Sequence, residues 1–248
     1  MTNPYNVAIS AEESVYIDAG VSLKYQLNNR FTFGLGYGFT HFSNGKLKMP
    51  NKGLNTQAAR ASLSYTLNDD PVQFKKQVVP PFHDHFEWLI SFYSGMENVL
   101  YTGPDTAADP MMRGVNFPIF GMNNTINRQL DYKSKIGVGV TVGYNGSQST
   151  TVVEEDGNLD ELDVPFPRHI TVSIYPSYEL VVNRFSLVIQ PGFYLYRKKT
   201  TDMTPEFYQR IGVKYHFMKD YFFGVNLRAN KFYKSEFIEW TIGHRISL

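Results

Sequence analysis

Within "HFSNGKLKMPNKGLN", residues 41–55, a histidine and a serine stand two positions apart. Serine is a poor nucleophile until a neighbouring base accepts its proton, and imidazole is suited to that role near neutral pH. On an extended strand, side chains at i and i+2 point to the same side, which puts His41 and Ser43 within reach of each other. The base also needs a third group to hold its other ring nitrogen in one tautomer. Asn55 offers a carbonyl oxygen for this, without the charge of a carboxylate. An attacked ester carbonyl needs donors for its developing negative charge. The backbone N–H groups of Gly45 and Lys46 and the side chains of Asn44 and Asn51 are the candidates. An H-x-S pair alone recurs by chance, so its weight depends on the strand that carries it.

That strand reads by twos. In "FTFGLGYGFTHFS", Phe31, Phe33, Leu35, Tyr37 and Phe39 share parity with His41 and Ser43, against Thr32, Gly34, Gly36, Gly38 and Thr40. The segment before it sets Ile17, Ala19, Val21 and Leu23 against Asp18, Gly20, Ser22 and Lys24. The segment after it sets Ala59, Ala61, Leu63 and Tyr65 against Arg60, Ser62 and Ser64. Asn55 has the parity of the apolar side, so an antiparallel return places it across from His41 or diagonal to it. The polar pair therefore lies at the loop end of an apolar face. If that face meets lipid, the pair sits near the depth of ester carbonyls, where uncompensated polar groups are costly.

The same period returns through most of the chain and predicts about eleven strands, longer than the ~5–6 residues usual in soluble sheets and close to the ~9–11 of a tilted membrane crossing. Tight turns ("NNR", "DYK", "NR", "MKD") alternate with longer polar loops at 44–55, 99–114, 146–168 and 198–206. The expected fold is all-β: an antiparallel transmembrane β-barrel of the outer-membrane type, with about 11–12 visible strands. The mean hydropathy of −0.30 does not argue against this, because alternating strands average out. Aromatics at 15% and charged residues at only 19% fit the same reading. A net charge of +1 gives no bulk attraction to nucleic acid, and the absence of cysteine excludes disulfides and thiolate metal sites.

If "NNR" is a periplasmic turn, the first strand enters from outside, which predicts an odd number of strands and an export signal upstream, an N-terminally truncated barrel, or else an irregular extra strand at "NVAISAEES". The expected division is residues 1–68 as the strands carrying the motif and 69–84 as a linker or long periplasmic turn. Residues 85–248 then hold about eight further strands, in the same barrel or a second one.

The full pattern, H-x-S-N-G-x4-P-N-x-G-x-N, resembles the lipid A 3-O-deacylase (PagL-type) family over roughly residues 14–68. That resemblance implies an outer-membrane barrel that hydrolyses the ester-linked acyl chain at position 3 of lipid A. It further implies Ser43 as nucleophile and His41 as base, with Asn44, Pro50, Asn51 and Gly53 shaping the loop and oxyanion hole. The implied partners are lipid A or lipopolysaccharide and outer-membrane lipids, with no cofactor and no metal. The family's usual third member is a Glu where this chain has Asn55. A Ser-His-Asn triad is similar to that of outer-membrane phospholipase A, which His41, Ser43, Asn44, Gly45 and Asn55 match, whereas Pro50, Asn51 and Gly53 do not. Phospholipase A is thus the alternative enzyme. A non-catalytic pore or scaffold with a relic motif is the alternative outside enzymes.

Other features have plainer readings. Lys46, Lys48 and Lys52 are solvated loop lysines or contacts for lipid A phosphates. The acidic run "VVEEDGNLDELDV" is a solvated loop without EF-hand order. In "PPFHDHFEW" only His83 and His85 converge on a strand, so Asp84 does not complete a metal site. Trp88, Tyr101, Tyr196 and Trp240 read as an interfacial girdle. Arg60, Arg210, Lys214 and Arg228 fall on polar faces and read as a lumen network.

Overall fold

The computed structural model describes residues 14–45, 53–67, 81–100, 114–148, 150, 152–155, 158–161, 165–198, 206–230 and 234–248. Three strands come first: β1 (Val15–Gln26), β2 (Phe31–Ser43) and β3 (Leu54–Tyr65), forming an antiparallel sheet in the order β1-β2-β3. Next are β4 (His85–Leu100), β5 (Gly114–Gln129), β6 (Ser134–Asn145), β7 (Val152–Glu155), β8 (Asn158–Glu161) and β9 (Ile170–Val182). The chain ends with β10 (Phe185–Arg197), β11 (Phe207–His216), β12 (Tyr221–Asn230) and β13 (Lys234–Ser247). The eleven long strands are those expected from the alternation. The two short ones, β7 and β8, pair as a hairpin within the acidic run.

Eight of these strands close a barrel in which β4, β5, β6, β9, β10, β11, β12 and β13 follow one another around the wall, and β13 returns to β4. Every pairing is antiparallel, and His85 of β4 and Ser247 of β13 lie at the same end as the tight turns. The longer connections emerge at the other end. Parity is inverted relative to a water-soluble barrel. Ile126, Ile136, Val138, Ile189, Ile211 and Ile242 stand exposed on the outside, while Glu87, Glu179, Glu239, Arg210 and Asn127 are buried within. An apolar exterior around a polar interior is the arrangement of a barrel in lipid.

The lumen is filled. Lys135 Nζ meets Glu87 at 2.9 Å, Lys214 Nζ meets Glu179 at 2.8 Å, and Glu239 binds both Arg210 at 2.8 Å and Arg228 at 2.7 Å. Aromatic rings fill the space between them: the Arg228 guanidinium lies 4.3 Å from the Tyr208 ring and that of Arg210 lies 5.2 Å from Tyr175. Glycine makes this possible. A Cβ at Gly139 would collide with the Tyr175 ring and one at Gly192 with the Tyr208 ring, so the polar face is glycine-rich where rings lie flat against the wall.

One seam of the wall is unusual. The β9–β10 register is unbroken from Phe185↔Val182 to Ile189↔Tyr178 and resumes without a shift at Phe193↔Ile174, which sets Pro191 across from Pro176. Neither proline can donate to the ladder. On the lumen side Gln190 Nε2 donates to Ser177 Oγ at 3.0 Å and bridges the gap.

The first sheet has its own ties. Asn28 Oδ1 accepts the N–H groups of Arg30 and Phe31, both at 2.9 Å, and sets the β1–β2 turn. On the polar face Arg60 of β3 reaches over β2 to Asp18 of β1 at 2.6 Å, crossing Gly38, where a Cβ would stand 2.9 Å from the guanidinium carbon.

Trp240 departs from the girdle expectation. It lies mid-strand on the outer wall, opposite Val225 and Ser94, with its ring 5.9 Å from Phe223. Alternation gives the side on which a residue lies, but its depth follows from where the strand begins and ends. Trp88 and Tyr196 lie nearer strand ends, and Tyr101 falls outside the described residues.

Candidate active site

The register of β2 and β3 pairs His41 directly with Asn55, and β1 contributes Ile17 to the same row. Of the two placements that parity allowed for Asn55, the directly opposed one is found. His41 Nδ1 lies 2.6 Å from Asn55 Oδ1, and His41 Nε2 lies 2.9 Å from Ser43 Oγ. A carbonyl oxygen only accepts, so Nδ1 carries the proton and donates to Asn55. That leaves the Nε2 lone pair facing the serine hydroxyl, the tautomer a general base requires. The Phe39 ring lies parallel to the imidazole, 9° off, with centroids 6.5 Å apart. On the same face Tyr37 OH donates diagonally to Gln57 Oε1 at 2.5 Å, Gln57 being the register partner of Phe39.

The described loop flanks are built around two left-handed glycines, Gly45 at φ 59° and Gly53 at φ 70°. L-residues adopt that conformation at a cost of about 1–2 kcal/mol, which achiral glycine escapes. A side chain at Gly53 would also be tight: a Cβ there would stand 3.0 Å from the Phe42 carbonyl oxygen and 3.1 Å from His41 Cε1. Glycine at 53 thus lets the returning chain pass close against the imidazole. Ser43 and Asn44 are buried, Asn44 completely.

Among the residues singled out by sequence, His41, Ser43 and Asn55 are brought together, with Asn44 and Gly45 following Ser43 in the chain. Lys46, Lys48, Pro50, Asn51 and Lys52 lie outside the described residues. Asp84 is engaged by Arg128 at 2.6 Å rather than by its histidine neighbours. No group of three or more potential metal ligands occurs among the described residues. Arg210, Lys214 and Arg228 stand in the lumen network as read, and Arg60 lies in the first sheet. Two features escaped sequence reasoning, the Tyr37–Gln57 pair and the contact of Gly45 with the barrel wall. The parity of Gln57, two residues beyond Asn55, was a signal for the first.

Residues 86–248 match the family model of the acyloxyacyl hydrolase C-terminal domain. The chain belongs to this family. Residues 14–64, which hold the Ser–His–Asn arrangement, match the model of the lipid A 3-O-deacylases (PagL). Both models describe hydrolases, and together they cover most of the chain, so the family is a hydrolase family. No curated protein matches the sequence. Several solved barrels are similar in outline. The attachment invasion locus protein Ail of Yersinia pestis, solved with a heparin analogue, is 12% identical over 65% of this chain and 99% of its own, with a TM-score of 0.36. A de novo designed transmembrane β-barrel is 12% identical over 64% of this chain and 95% of its own, at 0.35. The Pseudomonas putida toluene transporter TodX is 10% identical over 94% of this chain and 69% of its own, at 0.25. Likenesses at these scores add nothing to the fold read from the strand pairing.

Proposed function

We propose that the chain is an outer-membrane serine ester hydrolase that removes an ester-linked acyl chain from lipid A. Ser43 Oγ attacks the ester carbonyl carbon while His41 Nε2 takes its proton. The carbonyl oxygen becomes an oxyanion, met by donors of the turn after Ser43: the Gly45 and Lys46 N–H groups and the Asn44 and Asn51 side chains. Collapse of this intermediate expels the sugar alkoxide, which takes the proton from His41, and leaves the acyl group on Ser43. The protonated sugar leaves as under-acylated lipid A; water then attacks the acyl-enzyme with His41 again as base, and collapse of the second intermediate returns the proton to Ser43 Oγ and releases a hydroxy fatty acid. Asn55 holds His41 in the tautomer that both half-reactions use. No carboxylate stands in this role, so Asn55 stabilises the imidazolium formed in each step through its hydrogen bond and adds no charge.

The observation that carries this reading is the 2.9 Å contact of His41 Nε2 with Ser43 Oγ, on the apolar face of β2, in a chain of a lipid-deacylating family. That placement suits a substrate that never leaves the bilayer. Mass spectrometry of lipid A from cells expressing the wild type or Ser43→Ala tests it. Loss of one acyl chain with the wild type alone is expected, and loss with both variants or with neither would end the claim. Fatty acid release from phospholipids but not from lipopolysaccharide would make the enzyme a phospholipase A instead.

A further inference from the structure

Ile238 belongs by parity to the outer wall of the barrel. Its neighbours on that side of β13, Trp240 and Ile242, are 50% and 56% exposed, yet Ile238 is only 5% exposed. The turn that follows Ser43 lies against it. A Cβ on Gly45 would stand 2.6 Å from Ile238 Cδ1 and 2.7 Å from Ile238 Cγ1, with Leu227 Cδ1 at 3.8 Å. Leu227 is the register partner of Ile238 on β12, so the two side chains form one step of the wall. Glycine at 45 satisfies two demands at once: it takes a φ of 59° and lets the backbone approach the barrel this closely.

The contact matters because of what this turn does in the proposed reaction. Left-handed turns gather successive backbone N–H groups into a concave anion site. The Gly45 N–H is one of the donors assigned to the oxyanion, and small errors in donor placement are expensive in rate. We propose that Ile238, backed by Leu227, is a positioning residue that fixes the oxyanion turn from the other half of the chain. The barrel would then be part of the hydrolytic machinery rather than only its membrane anchor. This rests on the hydrolase reading above.

The test uses the full chain in detergent micelles with lipopolysaccharide, measuring initial rates of fatty acid release across substrate concentrations. Ile238→Ala is expected to lower kcat about tenfold, below the loss from deleting one oxyanion donor, with KM changed less than about threefold. Ile238→Val should lie between it and the wild type. Leu227→Ala, whose side chain is farther from Gly45, should lose less than Ile238→Ala, and Ile242→Ala on the same strand should keep the wild-type rate. Migration of unheated samples on denaturing gels confirms that each barrel is closed. Wild-type kcat in Ile238→Ala would overturn the role, as would a change confined to KM or an equal loss in Ile242→Ala. If Ile238→Ala does not close, unchanged kcat in both Leu227→Ala and Ile238→Val overturns it. The two levels separate cleanly: activity that Ser43→Ala abolishes but Ile238→Ala preserves sinks the positioning role alone, whereas an inactive wild type sinks the hydrolase reading with it.

Discussion

Asn55 is the residue on which the base depends most directly. Its carbonyl oxygen accepts from His41 Nδ1 at 2.6 Å, and no charge accompanies that bond. Asn55→Ala frees the ring to turn and to change tautomer, so kcat should fall roughly 100-fold, the low end of what a positioned base contributes. Asn55→Asp keeps an acceptor in place and adds a charge that favours the imidazolium, so it should match or exceed the wild type. Release of fatty acid from lipopolysaccharide by the two variants distinguishes them, and equal rates would show that Asn55 has no orienting role. At this scale most of the site was legible. Spacing put His41 and Ser43 on one side, and the parity of Asn55 matched them, because a strand repeats every two residues. The left-handed conformation of Gly53 and its closeness to the His41 ring were not legible, since they arise from the path of the chain in three dimensions.

At the scale of elements, β2 works because both of its faces are committed. One carries Phe39, His41 and Ser43, and the other leaves Gly38 bare for the Arg60 bridge to Asp18. The turns that hold such strands in register are electrostatic devices as well. Between β5 and β6, Asp131 Oδ1 accepts the N–H groups of Lys133 at 2.7 Å and Ser134 at 2.8 Å. The Lys133 N–H, first among these bonds, holds the carboxyl below its ordinary value of 3.8. A carboxyl lowered by folding contributes stability that is fully present above its unfolded pKa and is lost as pH falls through the folded value. Wild type and Asp131→Ala should therefore differ in urea midpoint at pH 7, and the difference should shrink only below pH 3.8. A difference independent of pH would mean that the charge plays no part. Strand existence was legible here because alternation is local. Partner choice was less so: nothing in the period says that β6 skips the hairpin to pair with β9 or that β13 closes on β4.

At the scale of the whole molecule, the barrel is a solid post. Glu239, with no exposed surface, neutralises both Arg210 and Arg228, so Glu239→Gln leaves two buried guanidinium groups short of one negative charge. Breaking a buried pair in this way costs about 3–5 kcal/mol. The variant should unfold at distinctly lower urea than the wild type, followed by the mobility shift of the closed barrel, and an unchanged midpoint would show that the network is dispensable. The contact between Gly45 and Ile238 also belongs to this scale, and it left no trace in the sequence. The positions are far apart in the chain, and the parity of Ile238 assigned it to the outer surface alone.

The facing prolines give the closed wall a direction of weakness. Between Pro176 and Pro191 the cylinder is held by the Gln190–Ser177 bridge and by what packs around it, since neither proline donates to the main-chain ladder that runs on either side. A force that pries the cylinder apart meets little main-chain resistance at that point, and the wall should open there more readily than along the unbroken ladders of β4–β5, β5–β6 and β6–β9.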